Sequence, residues 1–340
     1  MMRSRGFIVL ASSLFVASWA HSAVAGDTPR VGERLARRGD EIMVCGQLYH
    51  TTAPVVLWTD PGGYDAYRLE RRFAPPDQAN KPSRKNQGKP LETCFGMRRG
   101  GLSQKEIERV RGGGWDLPLL QKVVDQFVIH YDVCGTSQRC FRVLHDERGL
   151  SVHFMLDLDG TIYQTLDLKE QAWHATIANG RSIGIEIANM GGYPVSGPNP
   201  LDRWYRKGPE GRTAIVFANP QDRSSLHDPQ ALLAPARDQP IVGTVQGQLL
   251  RQYDLTERQY DSLIRLTATL CTVFPKIRCD YPRDESGAPR TAKLPAAEYR
   301  EYHGILGHYH VQSNKVDPGP AFQWDRLVAG ARGLMTKRQD

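Results

Sequence analysis

A long amphipathic pattern between Leu255 and Cys271 limits the folds open to this chain. Thr256, with Gln259 three residues later, forms a capping box, and Leu255 with Tyr260 supplies a hydrophobic staple. Tyr260, Leu263, Ile264, Thr267, Leu270 and Cys271 then recur at helical spacing, so one face of this helix has to be covered. The segments before it are strand-like. Phe127-Val128-Ile129 is a β-rich apolar run ending at His130, and Ser182-Ile183-Gly184-Ile185-Glu186-Ile187 alternates. Ser151–Leu158 and Thr161–Leu166 flank Asp159-Gly160, a hairpin signal. Strands followed by an amphipathic helix and a terminal polar loop imply an α/β fold, with a single mixed β-sheet flanked by helices.

Outside this frame the chain divides by composition. Met1 to Arg5 is basic, Gly6 to Ala20 apolar, and Ala23-Val24-Ala25 offers the small residues of a cleavage site, the order of a secretory signal peptide over residues 1–25. The expectation is a secreted protein, periplasmic or extracellular, with no integral membrane segment after cleavage, because no later run approaches ~20 apolar residues. Residues 26–101 read as an N-terminal extension with short apolar patches and a basic, Pro-containing stretch from Asn80 to Pro90. Ser103 with Glu106 forms a second capping box, stopped by Gly112-Gly113-Gly114, so the main domain is placed at 102–330 with a tail at 331–340. Residues 193–245, rich in Pro, Gly, Asp and Arg, read as a loop-rich insertion with little regular structure.

The net charge of +7, falling to +5 without Arg3 and Arg5, suits an anionic polymer without concentrating into a nucleic-acid-binding stripe. No nucleic acid is expected as partner, and the chain is expected to be a monomer. Six cysteines in an exported chain suggest disulfides. Short loops favour Cys134–Cys140 and Cys271–Cys279, which leaves Cys45–Cys94. A zinc site made of cysteines is disfavoured, since no Cys-x-x-Cys pair occurs.

Three segments carry polar residues where a bland core would not place them. One strand delivers His130 at its end. Another carries Glu186 within an apolar alternation. The loop from Gly307 to Phe322 gathers His308, His310, Lys315 and Asp317 among Pro and Gly. Two imidazoles and a carboxylate suit catalytic zinc, which takes three protein ligands and keeps one position open. A carboxylate such as Glu186 can accept a proton from water at such a site.

His130, Trp173-His174-Ala175, Ile183-Gly184-Ile185-Glu186 and Gly307-His308 through Lys315-Val316-Asp317-Pro318-Gly319-Pro320-Ala321-Phe322 resemble the type 2 N-acetylmuramoyl-L-alanine amidases. These are related to peptidoglycan recognition proteins and phage lysozyme-type amidases. The resemblance spans roughly 105–330, with the four motifs in the family's order. It implies Zn2+ as cofactor, held by His130, His308 and Asp317, with Glu186 and Lys315 catalytic and His310 a less favoured ligand than His308. It also implies that Trp173, His174 and Tyr131 bind substrate, a packing or metal-supporting role for His174 staying open beside that one, and that Cys134 and Cys140 match the small disulfide of recognition proteins. The implied partner is peptidoglycan or a muropeptide, cut between N-acetylmuramic acid and L-alanine. Two readings stay open beside this one: a non-catalytic recognition module, and a zinc peptidase acting on stem peptides. His153 reads as structural, and His50, His145, His227 and His303 have no assigned role.

Overall fold

A computed structural model describes residues 36–68, 93–208, 211–217 and 219–336. The signal peptide, the basic stretch from Asn80 to Pro90 and the last four residues lie outside the described residues. Among those described, six strands form the central sheet: β1 (Val55–Leu57), β2 (Gln126–Tyr131), β3 (Phe154–Leu156), β4 (Ile162–Gln164), β5 (Ser182–Ile187) and β6 (Gly304–Gly307). Their order is β6-β2-β5-β3-β4-β1. β6, β2, β5 and β3 run parallel, β4 turns back antiparallel to β3, and β1 runs parallel to β4 at the edge. The expected mixed sheet is therefore present. Its edge strand comes from the N-terminal extension, which is built into the sheet.

The turn between β3 and β4 shows why Asp159-Gly160 marks a hairpin. Gly160 has φ +86°, and a Cβ there would lie 2.8 Å from the Arg258 carbonyl, so backbone strain and steric contact both demand glycine. Asp159 Oδ1 accepts from Thr161 N at 2.9 Å and completes the turn.

Both capping boxes form. In α1 (Gln104–Arg111), Ser103 Oγ accepts from Glu106 N, and Glu106 accepts from Ser103 N. α2 (Leu117–Val123) follows, and α3 (Glu257–Val273) opens on the reciprocal Thr256 and Gln259 bonds of 3.1 and 2.9 Å. Along α3, Tyr260, Leu263, Leu266 and Leu270 are fully buried. They pack with Phe127, Ile129, Ile183, Ile185 and Phe154 from one face of the sheet, and with Leu327 and Val328 of α5 (Trp324–Thr336). Truncating a leucine here to alanine costs about 2–5 kcal/mol. α5 continues to Thr336, so the first residues of the expected tail are helical.

The alternation that sends Phe127 and Ile129 into this core sends Val128 and His130 to the opposite face. Cα register sets His130 beside Glu186 and Glu186 beside Met155, at the C-terminal ends of parallel strands. The sheet thus has one apolar face under α3 and one face that ends in chemistry.

The insertion corrects the expectation of little regular structure. Tyr205–Lys207 pairs with Thr213–Ile215, and Ile241–Val245 pairs with Gln248–Gln252, which also takes Tyr193–Pro194. Leu201, Trp204, Tyr205, Ile215, Leu226 and Leu233 close a small core of their own. Strands of two to five residues separated by Pro, Gly and Asp never give a period long enough to read. This segment also reaches the loop carrying Asp317. Gln252 Nε2 donates to Pro318 O at 2.9 Å, and Gln252 Oε1 accepts from Ala321 N at 3.0 Å. Gln246 Nε2 donates to the carbonyls of Tyr309 and Gln312.

All six cysteines are free thiols. Cys134 and Cys140 share a hydrogen bond, as do Cys271 and Cys279, so two of the expected pairs are adjacent. Among the described residues no such contact joins the third pair, Cys45 and Cys94. Cys45 lies at a hairpin turn where its N–H bonds Asp167 at 2.8 Å, while Cys94 meets His145 and its carbonyl accepts from Ser151.

Candidate active site

Three segments converge at the C-terminal ends of β2, β5 and β6. His130 is the penultimate residue of β2. Glu186 sits beside it on β5. β6 runs directly into α4 (His308–Val311), a single turn that presents His308. Tyr309 N donates to Asp317 O at 3.1 Å, which fastens the far end of the loop back to that turn. Gly307 lets it approach: a Cβ there would meet Pro318 Cδ at 2.7 Å.

The donor atoms meet within hydrogen-bond distance. His130 Nδ1 lies 2.9 Å from His308 Nδ1 and 3.0 Å from Asp317 Oδ2, and His308 Nδ1 lies 2.9 Å from the same oxygen. Each imidazole is engaged at its other nitrogen: His308 Nε2 with Gln312 Oε1 at 2.7 Å, and His130 Nε2 with His174 Nδ1 at 2.9 Å. Gln312 Oε1 accepts a hydrogen bond, so His308 carries its hydrogen on Nε2 and offers a lone pair from Nδ1. The three residues form a group whose donors could hold a metal ion.

The electrostatics fit a cation. Burial and the neighbouring His308 lower His130 to about 4, so it stays neutral. Burial alone would raise Asp317, but His308 and His130 hold it well below the ordinary carboxylate range. Burial, with Asp317 and Asp132 nearby, pushes Glu186 well above its usual value. Among the described residues its buried Oε2 has no hydrogen-bond partner. A buried polar atom left unmatched at a site is costly in a finished core and ordinary where a ligand completes the set.

A pocket of about 230 Å³ opens over this cluster, and Tyr131, Trp173, His174, Glu186, His308, Lys315 and Asp317 all line it. His130 lies beneath, only 1% exposed. The expected site residues are thus brought together. His310, by sequence a less favoured ligand than His308, is turned away: its Nδ1 accepts from Gly307 N at 2.9 Å and its Nε2 donates to Arg290 O at 2.7 Å. His153 is fully buried and bonded to Arg98, to the Glu170 carbonyl and to Gly184 N, a structural role as expected.

Sequence reading missed Gln312, which sits one helical turn from His308, and Asp132, two residues past His130. Asp132 Oδ1 accepts from the N–H groups of Cys134, Gly135 and Asn189, ordering the loop that forms one wall. Burial raises this carboxyl to about 7 against those bonds. Asp132, Cys134 and Cys140 form a second group with donor atoms within 4.8 Å of one another.

The family model for N-acetylmuramoyl-L-alanine amidase matches residues 120–320, the stretch that holds β2 through the Asp317 loop. The chain belongs to this family. No curated protein matches this amidase in sequence. Among solved structures, AmpD as a selenomethionine derivative overlaps at 17% identity and a TM-score of 0.30, covering 62% of this chain and 86% of that one. AmiD from E. coli, in complex with anhydro-N-acetylmuramic acid-L-Ala-D-gamma-Glu-L-Lys, overlaps at 18% identity and 0.34, covering 72% and 63%. Staphylococcus aureus hydrolase AmiA with its ligand overlaps at 11% identity and 0.33, covering 72% and 97%. At those scores the likenesses add nothing to the reading of the site, which stands on its own residues.

Proposed function

We propose that this amidase holds Zn2+ between His130 Nδ1, His308 Nδ1 and Asp317 Oδ2, and hydrolyses the amide joining N-acetylmuramic acid to L-alanine in peptidoglycan or its fragments. The convergence of the three donors on one point carries the reading. The separations of 2.9–3.0 Å between these donors are short enough for all three to reach a single Zn2+ ion. Zinc in that position supplies Lewis acidity toward the carbonyl and lowers the pKa of water toward ~7.

The chain's own groups then have separate tasks. Glu186 takes the proton from the water that adds to the lactyl amide carbonyl, and returns it to the nitrogen of the departing L-alanine. Lys315, on the pocket wall, places positive charge where the oxyanion develops, and such charge acts most strongly away from bulk water. Tyr131 and Trp173 shape the walls against which the substrate rests.

A digest of purified muropeptides, analysed by mass spectrometry with and without a zinc chelator, tests the assignment. Release of intact stem peptide from the glycan, abolished by chelator and restored by Zn2+, is expected. Cleavage within the stem would make the enzyme a peptidase, and binding without any turnover would make it a recognition module.

The sequence order of basic, apolar and small residues over 1–25 supports export, which would bring the enzyme to its polymer. Among the described residues no helix is long and apolar enough to cross a membrane. In an oxidising compartment the adjacent thiols of Cys134/Cys140 and Cys271/Cys279 would close as disulfides. Titration of denatured, unreduced protein from the periplasm is then expected to find two free thiols, those of Cys45 and Cys94; six would remove both bridges.

A further inference from the structure

We propose that His174 positions the ligand His130 and does not bind substrate; the inference rests on the zinc site proposed above. His130 Nδ1 faces His308 Nδ1 and Asp317 Oδ2, so a lone pair can be offered to a cation there only if the ring hydrogen is on Nε2. His130 Nε2 lies 2.9 Å from His174 Nδ1. His174 must therefore accept, which puts its own hydrogen on Nε2, and that atom lies 3.2 Å from Ser182 Oγ. The line His130–His174–Ser182 fixes both tautomers at once. It also uses both nitrogens of His174, leaving none for a substrate.

The surroundings are shaped for that imidazole. Asn179 Oδ1 accepts from His174 N at 3.1 Å and from Ala175 N at 2.7 Å, which clamps the backbone that carries it. On β5, Gly184 leaves the space the ring fills: a Cβ there would lie 2.5 Å from His174 Cε1 and Nδ1. Gly184 is held in turn by the buried His153, whose Nδ1 accepts from Gly184 N at 3.1 Å. The rings of His130 and His174 meet edge to face, 87° apart. Metal-bound histidines commonly donate their second N–H to a carboxylate or carbonyl, and losing that partner typically weakens metal binding ~10–100-fold. Here an imidazole fills that place and hands the requirement on to Ser182.

Zinc affinity measured by chelator competition, beside kcat and KM on a muropeptide, tests this with His174→Ala, His174→Asn and His174→Gln. The Asn carbonyl falls near the place of Nδ1 and can accept from His130, whereas the Gln amide falls nearer Nε2. His174→Ala and His174→Gln are expected to bind zinc ~10–100-fold more weakly with KM little changed, and His174→Asn to recover most of the affinity. The melting temperature of each metal-free variant is followed in parallel. If the alanine variant does not fold, the Asn and Gln pair decides. Wild-type zinc affinity in His174→Gln together with a raised KM would return His174 to substrate binding and overturn the inference. Wild-type protein that takes up no zinc would instead overturn the metal reading on which it rests.

Discussion

Glu186→Gln is expected to keep its metal and lose turnover by ~10²–10⁴-fold, the usual contribution of a positioned general base. The side chain stands on β5 in register with His130, in the pocket wall, and among the described residues its buried Oε2 has no hydrogen-bond partner. Such an atom opposes folding until a ligand completes its hydrogen bonds, so its place in the site is explained by chemistry. Gln has nearly the same shape and cannot accept the proton, which separates the two roles. Gln also sits beside Asp317 and Asp132 without the repulsion that disfavours a charged Glu186 there, so the fold should tolerate it or gain slightly. Zinc stoichiometry and kcat on a muropeptide check the result. Turnover within a few-fold of the parent, at full zinc content, would take Glu186 out of the mechanism.

Those parts of the fold that rest on long periods or strong local signals were legible before the structure. The stripe of Tyr260, Leu263 and Leu270, the two capping boxes and the Asp159-Gly160 turn each combine pattern with a residue whose chemistry serves one purpose. The catalytic face was legible for a different reason: His130 and Glu186 interrupt apolar strands, and an interruption at the end of a parallel strand falls where sheets present ligands. Partners whose type is common everywhere were not legible. Gln312, Gln252 and Gln246 are ordinary polar residues in sequence, and only the chain's return through space brings them to His308 and the Asp317 loop. The insertion was hidden likewise. Its strands are too short to show a period, yet its last hairpin braces the segment that carries Asp317. Elimination alone paired Cys45 with Cys94, and only the path of the chain through space decides which sulfurs meet.

His130→Ala, His308→Ala and Asp317→Ala are each expected to abolish zinc retention and hydrolysis. Two remaining ligands from a set of three do not hold zinc well. The loss should exceed the ~10–100-fold that removal of an outer partner brings. The three variants are not equivalent in stability. Asp317→Ala leaves His130 and His308 buried with their lone pairs opposed and no carboxylate between them, so this variant should melt lowest in the absence of metal. His310 provides the internal control. It lies two residues from His308 but spends Nδ1 on Gly307 N and Nε2 on Arg290 O, so it cannot replace a lost ligand without breaking both bonds. His310→Ala should accordingly retain zinc and lose stability, the reverse of His308→Ala. Zinc content by elemental analysis, beside melting of each metal-free protein, distinguishes the two patterns. Full zinc in His308→Ala would transfer the ligand role to His310 and require the one-turn helix at His308–Val311 to rotate on binding.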